Sequence, residues 1–466
     1  MFNPQSEYEV TYKDISLRAF VDYKDAYVTR PPYQRKNVWS RARKQELLDS
    51  LFRRYYVPRI VIREVRLSEQ ATRREVIDGQ QRIITAQMFL ENELRLPNSL
   101  ADVRPDLPGS YFRDLPPEVR EFVYEELSYS ADIVKGIEDP KNPEHQRIAA
   151  EIFWRLQQGV SLNYMERAHA RLSSLSRNFI VRHADDIRFD YEAYKAIDDN
   201  PNKHPFFTIL NHSNDRMGHL SLLTRFLILE EADGPTDLQD LDVEAYIDRY
   251  QDDNGIGNFS LDDLPQAKAV LSTLNVGYEV YKNDPMVADG GKLKELRREY
   301  FLVSVYLLLR HLRKLYAFGD QEKEHFRRFL IDFYARWQDS NTKDTDILAF
   351  SDSRQQDANN VATRHMILRQ VFFEYAAAQG HEMKEKDTKR AFDESQRITL
   401  YRKYDGLCQE CVRENKPRAE CLVPWSQFDA DHVVPHSKGG TTTLNNAELL
   451  CRPHNLKKGA AVVAGS

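Results

Sequence analysis

The spacing of hydrophobic and polar positions changes along the chain, and the first change separates a mixed unit from a helical one. In about the first 97 residues, short β-branched runs at 59–67 (RIVIREVRL) and 74–79 (REVIDG) indicate strands. Apolar residues at three- and four-residue spacing within 43–55 (RKQELLDSLFRRY) and 81–94 (QRIITAQMFLENEL) indicate helices. The pattern predicts a small α/β or α+β unit.

From about residue 115 to 390 the spacing is almost wholly helical, as in 293–316 and 325–338. The polar stretch at 338–360 is predicted to be a long loop inside this helical body. Near residue 390, cysteines, glycines and turn residues appear together and mark a third part. We therefore expect a multidomain α+β protein whose domains are 1–185, 186–390 and 391–466.

Composition limits the classes of function. Of the 466 residues, 41% are hydrophobic and 30% are charged, which is typical of a globular protein. The apolar run at 300–309 is far shorter than the roughly 20 residues of a membrane helix, and the chain does not begin with a secretory signal pattern. We therefore expect a cytoplasmic protein with no membrane partner.

The net charge of −6 confines any nucleic-acid contact to local basic patches. The candidate residues for these patches are Arg30, Arg35, Lys36, Arg41, Arg43, Lys44, Lys457 and Lys458.

All four cysteines lie in the last 60 or so residues, which favours one local metal site over a disulfide framework. Cys408 and Cys411 have Cys-x-x-Cys spacing, and Cys451 and His454 have Cys-x-x-His spacing. These four residues are expected to bind a structural Zn²⁺ in tetrahedral geometry. Cys421 is an alternative ligand, but it has no partner at that spacing.

Between the zinc ligands lie groups that a metal-assisted phosphodiesterase requires. Asp431 and His432 are adjacent on a predicted strand, Asn446 follows a Gly-Gly turn, and Asn455 directly follows the last zinc ligand. Oxygen ligands suit a hard cation, and a neutral imidazole can deprotonate water.

This C-terminal pattern, over roughly 395–460, resembles an HNH endonuclease of the ββα-metal type with its zinc ligands intact. The resemblance implies that His432 is the general base, that Asp431 and Asn455 coordinate a catalytic Mg²⁺ or Mn²⁺, and that Asn446 orients the loop that carries His432. The third letter of the motif name is here asparagine, which still offers an oxygen ligand. The alternative is a DNA-binding regulator whose zinc only holds its shape.

A second motif lies at 75–90, where Asp-Gly follows an apolar pair and precedes a helix (EVIDGQQRIITAQMFL). A turn followed by a helix N-terminus is a ready anion site. Upstream, Gln34 and Arg35 repeat the Gln-Arg pair of the motif. A plain strand-to-helix turn is the alternative interpretation.

Together these segments resemble the ParB/sulfiredoxin-like domain at the N-terminus of modification-dependent restriction proteins such as GmrSD and SspE, over about 180 residues. The resemblance implies an α/β domain that hydrolyses nucleotides and senses modified DNA. GTP is the first nucleotide we expect there, with ATP and CTP left open. The residues that the resemblance assigns to the phosphate site are Asp78, Gly79, Gln80, Gln81 and Arg82, with Tyr33, Gln34 and Arg35 close by.

The two resemblances together imply a nucleotide-gated, metal-dependent DNA endonuclease that restricts foreign, modified phage DNA. Its expected partners are double-stranded DNA and a nucleoside triphosphate, and a homo-oligomer is a further expectation. An ungated HNH nuclease of the mobile-element or repair type is the alternative, because the gate is inferred from the family alone.

Overall fold

The computed structural model describes residues 8–34, 39–156, 164–250 and 261–459. The chain folds into two compact units, one made of 1–207 with 212–231 and 238–268, the other of 208–211 with 232–237 and 269–466. The mixed α+β fold class is confirmed. The expected three-part division, with boundaries after 185 and 390, stays a prediction.

A mixed five-stranded sheet forms the centre of the first unit. Its strands are β1 (Glu9–Ser16), β2 (Tyr27–Val28), β3 (Ile60–Arg66), β4 (Thr72–Asp78) and β5 (Ser128–Lys135). They are ordered β1-β5-β3-β4-β2, with β1/β5 and β3/β4 antiparallel and β5/β3 and β4/β2 parallel. Strands β3 and β4 form where the sequence predicted them. The expectation of almost wholly helical structure after residue 115 is wrong at β5, which lies between β1 and β3.

The helices of the first unit cover the sheet and continue beyond it. They are α1 (Ala19–Asp22), α2 (Arg41–Phe52), α3 (Gln80–Leu90), α4 (Pro117–Glu125), α5 (Pro143–Leu156), α6 (Tyr164–His169), α7 (Leu175–Ala184), α8 (Gly218–Glu231) and α9 (Asp240–Arg249). A short hairpin of β6 (Arg188–Asp190) and β7 (Lys195–Ile197) follows α7.

Hydrophobic clusters cover both faces of the sheet at β3, where successive side chains point to opposite faces. Ile60 and Ile62 of β3 pack in one hydrophobic cluster with residues of α2 and α3, whereas Val61 packs in a second cluster with residues of α5. This arrangement explains why β3 begins with three apolar residues in a row rather than with an alternating pattern.

Helices also dominate the second unit as far as residue 378. After α10 (Pro265–Tyr281), which begins in the first unit and ends in the second, they are α11 (Pro285–Ala288), α12 (Glu299–Leu315), α13 (Asp320–Gln338), α14 (Thr345–Asp352) and α15 (Ala358–Ala378). Phe301 of the buried helix α12 stacks on Phe333 and Trp337 of α13, at centroid distances of 6.1 and 5.3 Å. The stretch predicted as a long loop contains α14, so that prediction is wrong in part.

The C-terminal module of this unit is a β-hairpin followed by a helix. Its elements are α16 (Glu394–Lys403), α17 (Gln409–Arg413), α18 (Arg418–Cys421), β8 (Phe428–His432), β9 (Ala447–Cys451) and α19 (Arg452–Lys458). Strands β8 and β9 pair antiparallel, with Asp431 opposite Glu448 and His432 opposite Ala447. The expected ββα module with its Cys/His cluster is confirmed.

Candidate functional site

Four side chains from three elements converge at one end of the C-terminal module. Cys408 precedes α17 and Cys411 lies within it, while Cys451 ends β9 and His454 lies in the first turn of α19. Their ligand atoms all lie within 4.8 Å of one another. The predicted cluster is therefore confirmed.

The distances within the cluster suit a tetrahedral zinc ion. Nδ1 of His454 lies 3.4, 3.4 and 3.3 Å from Sγ of Cys408, Cys411 and Cys451. Sulfur and nitrogen ligands of one tetrahedral zinc are separated by about 3.6 Å. Oε2 of Glu414 lies 3.2 Å from Nε2 of His454, so it can orient the ring with Nδ1 toward the metal.

Cys421, the alternative zinc ligand, lies outside this cluster. It is 1% exposed in the hydrophobic core of the module, and its thiol donates to the carbonyl oxygen of Lys416 at 3.5 Å. Its role is therefore packing.

The carboxylates of β8 face α19. Nζ of Lys458 donates to Oδ2 of Asp431 at 2.5 Å, and Nδ2 of Asn455 donates to Oδ2 of Asp429 at 3.1 Å. The amide of Asn455 therefore bonds to Asp429 rather than to Asp431, with which the sequence analysis had grouped it. Asp429 is a site residue that the sequence analysis missed, although the period of two in Asp-Ala-Asp places both carboxylates on one face of the strand.

The imidazole of His432 is buried on the other face of β8, because successive side chains of a strand point to opposite faces. The residue is 9% exposed, its ring centroid lies 4.6 Å from that of Phe392, and Nε2 lies 3.0 Å from Oγ1 of Thr442. Burial lowers the pKa of His432, and the nearby charge of Asp431 acts against this effect. The ring is therefore neutral at pH 7 and able to accept a proton.

Asn446 bonds to both sides of the loop that follows His432. Its Oδ1 accepts from the backbone N–H of Val434 at 2.7 Å, and its Nδ2 donates to the carbonyl oxygens of Val434 and Thr441 at 3.0 and 2.9 Å. A Cβ on Gly440 would lie 1.7 Å from the Val434 carbonyl oxygen. The glycine is therefore required by the close approach of two backbone segments.

In the N-terminal unit, the DGQQR motif spans the junction between β4 and α3. Asp78 ends the strand, and Gly79 has a φ of +98°, where a side chain would also clash with Ile60. Nη2 of Arg82 donates to Oδ2 of Asp78 at 2.5 Å. The motif is thus a strand-to-helix turn with an ion pair between two of its own residues. This geometry also fits the alternative interpretation, in which the motif is a plain turn.

Of the two glutamines of the motif, Gln80 is buried and Gln81 is half-buried. Gln80 is 7% exposed, and its Oε1 accepts from Nε2 of Gln81 at 3.0 Å. Oε1 of Gln81 accepts in turn from the backbone N–H of Trp39 at 3.2 Å.

The upstream segment lies against the same strand. Nε2 of Gln34 donates to the carbonyl oxygens of Val76 and Ile77 at 2.7 and 2.6 Å. Tyr33 donates a short hydrogen bond to the buried carboxylate of Glu75. The structure therefore brings Gln34 to the strand that ends at Asp78, whereas Arg35 lies outside the described residues.

A cavity of about 260 Å³ opens beside Gln34 in the same unit. Its lining includes Arg30, Gln34, Arg177, Asn178, Arg188 and Tyr191, whereas residues 78–82 do not line it. Arg177 is 4% exposed and donates to the carbonyl oxygen of His169 at 3.0 Å and to Oδ1 of Asn178 at 3.2 Å. The cavity therefore combines cationic, amide and aromatic groups.

Several members of the predicted basic patches are not free surface charges. Lys44 and Lys458 are largely buried, and Arg30 forms a two-point ion pair with Asp198 at 2.5 and 2.7 Å. Arg35 and Lys36 lie outside the described residues. The expected patch at Lys457 and Lys458 is wrong for Lys458, because its ammonium group binds carboxylates of the module.

Two family models match the chain, one in its N-terminal half and one near its C-terminal end. Residues 17–251 match the family model of the GmrSD restriction endonuclease, N-terminal domain, and residues 408–461 match that of the HNH endonuclease. A search of curated proteins returned no match. Among the helices of the described residues, none is both long and apolar enough to cross a bilayer.

The HNH domain makes the chain a DNA endonuclease, and the GmrSD-type N-terminal domain makes it one of the restriction type. The chain belongs to the family of the GmrSD restriction endonuclease N-terminal domain and carries an HNH endonuclease domain at its C-terminal end.

Proposed function

We propose that this protein is a nucleotide-gated, metal-dependent HNH endonuclease that cuts modified phage DNA. The observation that carries the proposal is the presence, in one chain, of a GmrSD-type N-terminal domain and an HNH module in which a buried, neutral histidine directly follows Asp431, whose carboxylate contacts α19 as does that of Asp429. The first feature supports recognition and the second supports hydrolysis.

The donor set between β8 and α19 fits a hard divalent cation such as Mg²⁺ or Mn²⁺. Asp431 and Asn455, with Asp429 as a further ligand, offer oxygen atoms on facing elements. When bound, such an ion supplies charge stabilisation for the phosphate undergoing hydrolysis. The nearby Cys/His cluster offers softer ligands and is the place of the structural zinc.

His432 is the proposed general base of the reaction. It takes a proton from the attacking water as the oxygen of that water bonds to phosphorus, one phosphorus–oxygen ester bond breaks, and the leaving oxygen takes a proton from solvent. Asn446 holds the loop after His432 by bonds to Val434 and Thr441. A general base in this role contributes about 10² to 10⁴ in rate.

The N-terminal unit is the proposed sensor. Two features support ligand binding there, the helix N-terminus at the DGQQR turn and the cavity beside Gln34. Hydrogen bonds from Gln34 to β4 connect the cavity wall with the strand that ends at Asp78. A ligand bound at either place would therefore affect β4. The ligand is a nucleoside triphosphate, with GTP the first to test, or a modified nucleotide of DNA.

Cleavage assays on the full chain test the proposal. The substrates are unmodified plasmid and heavily modified phage DNA, each with Mg²⁺, with and without GTP, ATP or CTP. We expect cutting of the modified DNA only, dependent on nucleotide and lost in His432→Ala. Gln34→Ala should lose the nucleotide response, whereas Gln70→Ala, at an exposed glutamine between β3 and β4, should retain it.

Equal cutting of both substrates without nucleotide would contradict the gate and leave an ungated HNH nuclease. Because one HNH site hydrolyses one strand per event, double-strand breaks would require two copies of the chain or two binding events. Analytical ultracentrifugation with and without DNA distinguishes these two routes.

A further inference from the structure

Thr442 occupies a position between the proposed general base and a segment outside the HNH match. The residue is 3% exposed, and its Oγ1 lies 3.0 Å from Nε2 of His432. The same oxygen makes a short hydrogen bond to the carbonyl oxygen of Lys389. The backbone N–H of Thr442 donates to Oδ2 of Asp387 at 2.8 Å.

These contacts determine which nitrogen of His432 carries the proton. A carbonyl oxygen can only accept, so the single hydroxyl hydrogen of Thr442 goes to Lys389. The hydroxyl oxygen must then accept a hydrogen bond from Nε2–H of His432. In the neutral ring this leaves the lone pair on Nδ1.

Residues 384–389 form a strap between the helical body and the loop after His432. The backbone N–H of Ala317, just beyond α12, donates to the carbonyl oxygen of Lys384 at 2.8 Å, and that of Lys386 donates to the carbonyl oxygen of Leu315 at 2.8 Å. At the other end of the strap, Nε2 of His436 donates to the carbonyl oxygen of Asp387 at 2.7 Å. The place of Thr442 is therefore set by the helical body as well as by the HNH segment.

We infer that Thr442 is a positioning residue that holds His432 in its Nε2–H tautomer, with Nδ1 as the proton-accepting atom, and that the strap at 384–389 sets the position of Thr442. The inference rests on the proposed role of His432 as general base. It adds a route by which a movement of the helical body would change cleavage without any change in the metal ligands.

Substitutions at Thr442 in the full-length protein test the inference. Thr442→Val preserves the shape of the side chain but removes the acceptor for Nε2–H, and we expect kcat to fall about tenfold or more with little change in KM. Thr442→Ser restores the hydroxyl and should return kcat to within about threefold of the original. Thr443→Val, at the neighbouring exposed threonine, is the matched control and should leave kcat unchanged.

A second measurement is independent of cleavage. In protein labelled with ¹⁵N-histidine, without added magnesium, the signals of His432 are those missing from His432→Gln. We expect the Nε2–H tautomer in the original chain and a mixture of tautomers in Thr442→Val. An original chain with the proton on Nδ1, or the same kcat in Thr442→Val as in the original chain, would overturn the inference.

Two further observations separate the possible failures. If the original chain cuts no DNA, the proposed function fails. The NMR experiment still determines which nitrogen of His432 carries the proton. If Thr442→Val does not fold, Asp387→Ala takes its place, since it removes a half-buried carboxylate that accepts from the backbone N–H groups of Thr442 and Lys389. A kcat of Asp387→Ala equal to that of the original chain would then overturn the role of the strap.

Discussion

Nζ of Lys458 lies 2.5 Å from Oδ2 of Asp431 and 2.7 Å from Oε1 of Glu448. Nη2 of Arg413 donates to the other oxygen of Glu448 at 2.9 Å. This chain of alternating charges joins α19, β8, β9 and α17. The orientation of a proposed metal ligand therefore depends on a lysine three residues beyond Asn455.

Replacing Lys458 with methionine should destabilise the module. Glu448 is 3% exposed and would lose one of its two cationic partners, and removal of one partner of a buried ion pair costs about 3 kcal/mol. We expect a loss of that order in the free energy of unfolding, together with weaker cleavage. Urea denaturation of both proteins measures the stability change.

The neighbouring residue provides the control. Lys457 is exposed, so Lys457→Met should leave stability unchanged while it lowers DNA affinity slightly. Equal stability losses in the two variants would show that the ion pairs of Lys458 contribute nothing.

Removal of a zinc ligand should unfold the C-terminal module alone. Cys411→Ser should lower bound zinc from one ion per chain to near zero, because three remaining ligands hold the metal far more weakly. The sheet of the first unit should remain folded. Metal analysis and limited proteolysis measure these two effects.

Cys421→Ser tests whether the effect is specific to the cluster. Its thiol is buried but lies outside the four-ligand set, so zinc content should stay at one ion per chain. Loss of zinc in this variant would place Cys421 among the ligands and contradict the assignment of the site.

The parts of the fold that the sequence predicted are those in which local patterning and burial agree. The first three residues of β3 are all apolar because both faces of the sheet are covered there, and the four zinc ligands follow a spacing that the metal itself requires. Strand β5 was missed because Ser128, Ser130 and Asp132 weaken its β-propensity. Its place is determined by pairing with β1 and β3, which are distant in sequence.

Local hydrogen bonds explain the other differences. Helix α14 begins within a polar stretch because Asp344 caps it, accepting from the backbone N–H groups of Asp346 and Ile347. Buried Ile347 and Phe350 then hold the helix against the body. The contacts of Asn455 with Asp429 and of Thr442 with His432 depend on how elements of the fold face each other. The spacing of residues in a motif does not predict such contacts.

Gly440 should tolerate no side chain. The Cβ of an alanine would lie 1.7 Å from the carbonyl oxygen of Val434, so the loop after His432 would have to move. We expect Gly440→Ala to lose most cleavage activity and about 2 kcal/mol of stability, in the range of overpacked sites. Calorimetry and the cleavage assay measure both effects.

The matched control is Gly234→Ala, because no atom lies within 4 Å of a Cβ built at that position. It should retain both stability and activity. A fully active Gly440→Ala would show that the loop geometry is not required for catalysis.

His219 should make the stability of the first unit depend on pH. The residue is 3% exposed, Nζ of Lys203 donates to its Nδ1 at 3.0 Å, and its Nε2–H donates to the carbonyl oxygen of His212 at 2.8 Å. Burial, reinforced by the charge of Lys203, lowers the pKa of His219 to about 3. Both ring nitrogens are thus bonded in a way that only the neutral ring allows.

The direction of the effect follows from the two pKa values. In the unfolded chain the imidazole has a pKa near 6.5, so between about pH 6.5 and pH 3 the unfolded state binds the extra proton. The stability that this histidine contributes is present above pH 6.5 and declines as the pH falls. For this group alone, about 2 kcal/mol should be lost between pH 7 and pH 5.

His219→Gln removes the titration but retains a donor and an acceptor. We expect the variant to be less stable than the original chain at pH 7 and to lose less stability on acidification, so that the two curves converge toward pH 5. Denaturant unfolding of the full chain, monitored by hydrogen exchange in α8, measures both curves. Parallel curves over that range would mean that His219 titrates alike in the folded and unfolded states, contrary to its burial and its two hydrogen bonds.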